Sequence, residues 1–184
     1  AISVTPDREA LVDFNSLYLS ANDAALVRTG EGLTVRSPSD FAGHALGVEK
    51  VTTYQSWAQK NLVNAGIISQ TQLIPFDSVD DLVAGLEAGT VDIGLMGYAP
   101  AQTIDRKSGD LTIGGTKFNT QQFAIATRTD STLLNHLNVG LAQVMTDGTW
   151  DELITHYLAV DSGVVLPPPG EDGGQALVPT EARG

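Results

Sequence analysis

Arg8, Thr52 and Thr53 are the side chains in this sequence best placed to hold an anion. An arginine fork can grip a carboxylate through two parallel hydrogen bonds. Arg8 follows a strand-like stretch, Ile2-Ser3-Val4-Thr5, and a Pro-containing turn, and does not sit in a long charged helix. A solvated arginine paired with Asp7, Glu9 or Asp13 is the competing reading, because exposed ion pairs are common and weak. Thr52 and Thr53 stand where a polar loop enters an amphipathic helix. The first amide hydrogens of a helix have no intrahelical partner, so a carboxylate or phosphate there gains hydrogen bonds and the favourable end of the helix dipole. Simple capping of the helix by Thr52 is the alternative.

Other chemistries lack their residues. The chain has no cysteine, which removes disulfides, thiolate metal sites and cysteine nucleophiles. His44, His136 and His156 are widely separated, with no HExxH and no nearby acidic ligand pair, so no metal site is expected. Neither GxGxxG nor GxxxxGK[ST] occurs, and no GxSxG elbow surrounds a serine. Asp77, Asp80, Asp81, Glu87 and Asp92 read as residues that cap or solubilise helices. No catalytic residue and no cofactor is therefore assigned. The 22 acidic and 10 basic residues give a formal charge of -12, which disfavours nucleic acid and anionic membranes as partners. No apolar run approaches the roughly 20 residues that cross a bilayer. Ala1 in place of an initiating methionine suits a processed or excised segment.

The elements that must position these residues are clearest between 37 and 96. Residues 45–48 read as a buried strand, and Tyr54, Trp57, Ala58, Asn61, Leu62 and Ala65 recur at helical spacing, so a helix starts near Thr52 or Thr53 and stops at Gly66. Thr71–Phe76 reads as a second strand. Ser78 with Asp81 resembles a capping box for a second helix that buries Val79, Leu82, Val83 and Leu86 and stops at Gly89. Val91–Met96 is the third strand. This alternation with short connections predicts parallel strands in a small α/β lobe, with the loops at 49–53 and 97–102 on the edge where such lobes bind ligands. Outside it, Ala24–Arg28, Leu111–Gly115 and Gln122–Thr127 read as extended pieces. Two helices, one with Leu134, Leu137, Leu141 and Val144 and one with Trp150, Leu153, Ile154, Tyr157 and Leu158, close the folded part. From Asp161 the Pro- and Gly-rich sequence reads as a flexible tail or linker. Residues 1–30 and 116–160 have apolar faces but too few strands for a second sheet, which suggests a missing upstream portion.

In order, these stretches resemble the bacterial extracellular solute-binding protein family, which includes polar amino-acid binders of ABC transporters and is related to the ligand-binding cores of ionotropic glutamate receptors. Thr5-Pro6-Asp7-Arg8-Glu9 with Val12-Asp13-Phe14 resembles the family's "T-x-x-R-E…V-D-F" segment. Ser39-Asp40-Phe41-Ala42-Gly43-His44-Ala45-Leu46-Gly47-Val48 with Thr52-Thr53-Tyr54 is similar to its second-lobe anion loop. Phe76-Asp77-Ser78 and Leu86-Glu87-Ala88-Gly89-Thr90-Val91-Asp92 resemble the strand and helix that follow. Phe123–Arg128, Leu137–Leu141 and Asp147-Gly148-Thr149-Trp150 resemble the closing portion. The likeness covers residues 1–160.

The resemblance implies a type II periplasmic-binding-protein-like α/β fold of two lobes, with lobe 2 complete and lobe 1 truncated on its N-terminal side. Residues 1–30 would be the end of lobe 1 and the first crossing strand, 31–120 lobe 2, 121–160 the second crossing strand and the helices returning to lobe 1, and 161–184 the tail. It implies that Arg8 holds a ligand carboxylate, that Ser3 adds a polar contact, and that Thr52 or Thr53 closes on the same carboxylate from lobe 2. Two departures stand out: Val51 replaces the usual glycine of the anion loop, and Gly97-Tyr98 follows the third lobe-2 strand where amino-acid binders present an acid to the ligand ammonium. Glu49 is the remaining candidate for that charge, and Tyr98 either lines the ligand or packs within the lobe. The expected function is non-catalytic capture of a carboxylate-bearing or amino-acid-like solute in the periplasm or outside the cell, for an ABC permease. The localisation reading includes attachment to a membrane through a removed or missing N-terminal segment. A ligand-sensing receptor domain is the alternative, and a lytic or dehydratase enzyme on the same lobes a weaker one. An incomplete lobe 1 would favour a homodimer or an exchanged element.

Overall fold

The computed structural model describes residues 2–158 and 164–165. The chain divides into two compact units, Ala1–Ala21 with Gln121–Gly184 as unit 1 and Asn22–Thr120 as unit 2. In order, the elements are β1 (Ile2–Ser3), α1 (Pro6–Glu9), β2 (Asp13–Phe14), β3 (Leu19–Arg28), β4 (Leu46–Glu49), α2 (Thr53–Ala58), β5 (Leu73–Phe76), α3 (Val79–Glu87), β6 (Ile93–Gly97), α4 (Tyr98–Lys107), β7 (Leu111–Ala124), β8 (Ala126–Thr127), α5 (Leu133–Thr146), α6 (Thr149–Leu158) and β9 (Val164–Val165). Both β3 and β7 run across the boundary between the units in sequence.

Unit 2 is a twisted sheet with helices on both faces, its strands in the order β7-β3-β6-β4-β5. β4 runs parallel to both β5 and β6, as the strand–helix–strand spacing predicts, while β6 meets β3 antiparallel. Alternate residues feed two cores. Ala25, Val27, Leu46, Val48, Ile93 and Leu95 pack with Phe41, Ala58 and Leu62 on the α2 face. Ala24, Leu26 and Met96 pack with Leu82, Leu86 and Ala101 on the face covered by α3 and α4. Each fully buried leucine contributes about 1.5–3 kcal/mol. Glycine at 47 lets α3 lie close to β4, since a Cβ there would collide with Leu82 Cδ1.

Two expectations are revised, and a third gains detail. The segment after β6 is not a loop through residue 102 but the helix α4, because Pro100 falls in its first turn, where a missing N–H costs nothing. Leu111–Ala124 is one continuous strand, which joins the separate extended pieces expected at Leu111–Gly115 and Gln122–Thr127. Gly114 and Gly115 make room for the Leu33–Val35 segment: Val35 N–H donates to Gly114 O at 2.9 Å, and a Cβ on Gly115 would collide with Val35 O. The strand bends at Lys117, whose φ is +70°. The α2 helix continues past Ala58 as a π-helical turn, Gln59–Val63, before Gly66 ends it at φ +72°.

In unit 1, β1 pairs antiparallel with the end of β7 and β2 with β8. Asn15 anchors this part by exchanging hydrogen bonds with Ile125: its N–H donates to Ile125 O, and its Oδ1 accepts from Ile125 N–H at 2.7 Å. Trp150 Nε1–H donates to Tyr18 O at 2.9 Å and docks α6. Of the stretch expected to be a flexible tail, Val164–Val165 pairs with β3, and the rest lies outside the described residues.

Candidate functional site

Arg8 lies in the single helical turn α1, which Pro6 starts by supplying a helical φ at a position needing no amide donor. The side chain is half-buried, and its Nη1 donates to Ser3 O at 2.8 Å. Among the described residues it forms no ion pair, so its expected competitors Asp7, Glu9 and Asp13 are not its partners. Asp13 instead accepts from the Asp130 amide at 2.9 Å. Ser3 is buried, and its hydroxyl donates to Gln121 Oε1. Unit 1 thus brings Ser3 and Arg8 together and orients the guanidinium by a backbone carbonyl.

In unit 2, β4 ends at Glu49 and the chain turns through Lys50 and Val51 into α2. Val51 adopts φ +58° and is 90% exposed, an uncommon conformation for a β-branched residue and one that glycine adopts without strain. The turn is held from within: Val51 N–H donates to Gln55 Oε1 at 2.8 Å, Thr52 Oγ1 donates to Glu49 O at 2.7 Å, and Thr52 Oγ1 accepts from Gln55 N–H at 3.3 Å. Thr52 is therefore the helix cap. Glu49, Thr52 and Thr53 share one turn at the carboxyl end of β4. Lys50 flanks it in an exposed ion pair with Asp77 at 2.8 Å.

Because Val48 lies opposite Leu95 in the parallel pair, the ends of β4 and β6 share one sheet edge. Gly97 closes β6 there and precedes α4, and a Cβ at this position would stand 2.9 Å from Tyr54 Oη. The tyrosine hydroxyl from α2 takes the space that a side chain would need. Tyr98 opens α4, packs against the core that contains Leu82 and Leu86, and accepts a 3.3 Å hydrogen bond from Gln102 Nε2. Asp23, opposite Gly97 on β3, is fully buried, and composition and spacing gave no sign of it.

The opposite end of the sheet is braced by Arg28. Its Nη1 donates to Leu86 O at 2.8 Å and Val91 O at 2.6 Å, its Nη2 to Asp92 Oδ1 at 3.1 Å, and its Nε to Glu31 at 2.6 Å. Partial burial pushes the Asp92 carboxyl up, but the Ala45 amide, Arg28 and His44 outweigh it and leave it below the usual carboxylate range. His44 stands 3.7 Å from Asp92, so it belongs to this brace. His136 faces Thr132 O at 3.1 Å, and His156 packs edge-on against Tyr157. Among the described residues no group of His, Asp or Glu side chains could hold a metal ion. A surface hollow of about 810 Å³ along α6, bordered by Thr149, Glu152 and His156, contains none of the expected ligand-binding residues.

Comparison with known proteins identifies the family. The L-cystine-binding protein TcyJ of Escherichia coli K12 is 26% identical over 162 residues, which cover 87% of this chain and 59% of that protein. This chain thus spans somewhat more than half the length of that curated relative. An ancestral arginine-binding protein bound to arginine superposes with a TM-score of 0.75 at 26% identity, over 85% of this chain and 68% of the other. The holo form of ArgBP from T. maritima superposes with a TM-score of 0.71 at 24% identity, over 85% and 66%, and shows the shared fold. The profile of the bacterial extracellular solute-binding proteins, family 3, matches residues 1–160, and with that match across both units the chain belongs to this family.

Proposed function

We propose that the protein captures a small carboxylate-bearing, amino-acid-like solute outside the cytoplasm and delivers it to an ABC-type permease. The observation that carries this reading is the Arg8 guanidinium, half-buried, held by Ser3 O and joined to no carboxylate among the described residues. An arginine fork oriented by one backbone contact keeps donors for an external acid. Within unit 2, Thr53 and the turn after β4, which Thr52 holds in shape, are the groups assigned to the same carboxylate; within unit 1, Ser3 lies beside Arg8 as a further polar group. Glu49 and Tyr98 border the remainder of the ligand. The relatives named for binding L-cystine and arginine support an amino-acid-like solute.

Gly97 sets the expected selectivity, since it cannot present a carboxylate to an ammonium group and Tyr54 Oη fills the space beside it. Matched ligands that share a carboxylate and differ only in the α-ammonium should bind within about 2 kcal/mol of each other, the scale of one buried charged hydrogen bond. Competitive calorimetry checks this, and a larger loss would move the assignment to Glu49.

Lobe 1 is read as incomplete in this chain. Supporting this, α5 has no buried residue, and Leu133 and Val139 are 54% and 55% exposed. Its stripe Leu134, Leu137, Leu141 and Val144 is only half-covered. Monomers rarely expose broad apolar patches, so this chain on its own should self-associate or exchange an element. Sedimentation velocity at two concentrations tests this, and a strictly monomeric species at both would count against it.

A further inference from the structure

Among the described residues, Asp23 is the only formally charged side chain that is fully buried. Its Oδ1 accepts from the Phe118 amide at 2.9 Å and the Asn119 amide at 3.0 Å, at the bend of β7 that follows Lys117. Its Oδ2 is also buried and has no hydrogen-bond partner. Opposite on β6 stands Gly97, which has no side chain to supply a donor. Asn22 and Thr120, the terminal residues of unit 2, are joined by a hydrogen bond from Thr120 Oγ1 to Asn22 Oδ1 at 2.8 Å. Asp23 therefore ties β3 to β7 within unit 2 beside the points where both strands leave it.

We propose that Asp23 is a proton-operated latch between the two strands that connect the units: ionised, its Oδ1 pins the bend of β7, and protonated, it loosens its hold on the Phe118 and Asn119 amides. Hydrogen bonds to an ionised acceptor are roughly twice as strong as neutral ones, so protonation weakens both at once. The new Oδ2–H also needs an acceptor, and an unmet buried donor is costly enough to draw the carboxyl out of its present orientation. Few charges around the group oppose this. β6 carries no ionisable side chain, β7 only Lys117, whose side chain is exposed, and α2 only Tyr54. On β3 itself the other ionisable residue is Arg28, which is committed to Asp92 and Glu31. No ion pair reaches Asp23 among the described residues.

Burial pushes the Asp23 carboxyl up to about 6, although the Asn119 and Phe118 amides pull it down. This places the transition in mildly acidic conditions. Because the folded value lies above the ordinary 3.8, the group favours the fold when protonated, a contribution fully present below about 3.8 and lost as pH rises through about 6. Acidification across this window thus raises this group's contribution to global stability while loosening one local contact, which separates a latch from general unfolding.

Amide hydrogen exchange on the whole chain between pH 4.5 and 8, with a carbon-13 titration of the Asp23 carboxyl, tests the proposal. Protection of the Phe118 and Asn119 amides, corrected for intrinsic exchange, should fall roughly tenfold below a midpoint shared with the carboxyl, as two charge-assisted bonds become neutral ones. Amides of Val48 and Leu95 should not follow. In Asp23→Asn the two amides should show no such midpoint. A carboxyl titrating below pH 4.5, protection at 118 and 119 that tracks the rest of unit 2, or an unchanged midpoint in Asp23→Asn would each overturn the latch. Should the variant fail to fold, the wild-type titration and exchange profile decide.

Discussion

Replacing Arg8 with alanine is expected to weaken binding of the carboxylate ligand by roughly 2–5 kcal/mol, because a desolvated anion loses its bidentate partner. The fold should suffer far less. The substitution removes one hydrogen bond, from Nη1 to Ser3 O, and no ion pair among the described residues. That is worth about 1 kcal/mol. Calorimetric affinity and thermal denaturation on the same variant separate the two effects. Arg8→Lys should recover only part of the affinity, since an ammonium keeps the charge and loses the planar fork. Thr53→Val should cost less than Arg8→Ala if the backbone of the turn keeps donating. Unchanged affinity in Arg8→Ala would remove Arg8 from the site.

The second large effect is expected at Arg28, at the end of the sheet opposite the turn after β4, and falls on stability. Arg28→Ala leaves the carbonyls of Leu86 and Val91 without this donor and strips Asp92 of its partner. The expected loss is about 2–4 kcal/mol, given charge-assisted bonds of about 1.5–3 kcal/mol each and partial exposure of the group. Arg28→Lys should fall between, because it can reach some of these acceptors but not all at once. The brace also carries a pH signature. Asp92 is held below the ordinary 3.8, so its contribution is present above that value and lost as pH falls through its folded-state value. Urea denaturation at pH 7 and at pH 3 should therefore show a smaller gap between wild type and Arg28→Ala in acid. An equal gap at both would contradict the ionic part of the account.

Much of unit 2 was legible because its signals are local. Thr52 and Ser78 cap α2 and α3 with their own side chains, and Gly66 and Gly89 end the helical runs at positive φ. What was hidden depends on contacts distant in sequence. Leu111–Gly115 and Gln122–Thr127 read as separate pieces, and the space that Gly114 and Gly115 leave for the Leu33–Val35 segment shows only once that segment is laid across the strand. The loop expected at 97–102 is the start of α4, with Pro100 in its first turn. The burial of Asp23 follows only from the joining of β3 to Phe118 and Asn119, 95 and 96 positions away. For the candidate site, the residues types pointed to Arg8 and the Thr52-Thr53 turn. Thr52 proved to be occupied as a cap, and Gln55, which accepts the Val51 amide, was missed because a glutamine inside a helix carries no distinctive pattern.

The central claim is recognition of a carboxylate, and removing that group from the ligand tests it most directly. Calorimetric titration of the protein with L-cystine and L-arginine, each paired with the corresponding carboxamide, compares acids with analogues of nearly the same shape in which the carboxylate alone becomes an uncharged amide. The account predicts that the tightest-binding acid outcompetes its carboxamide by roughly 30-fold or more, the equivalent of about 2 kcal/mol. Equal affinity for acid and carboxamide would contradict it.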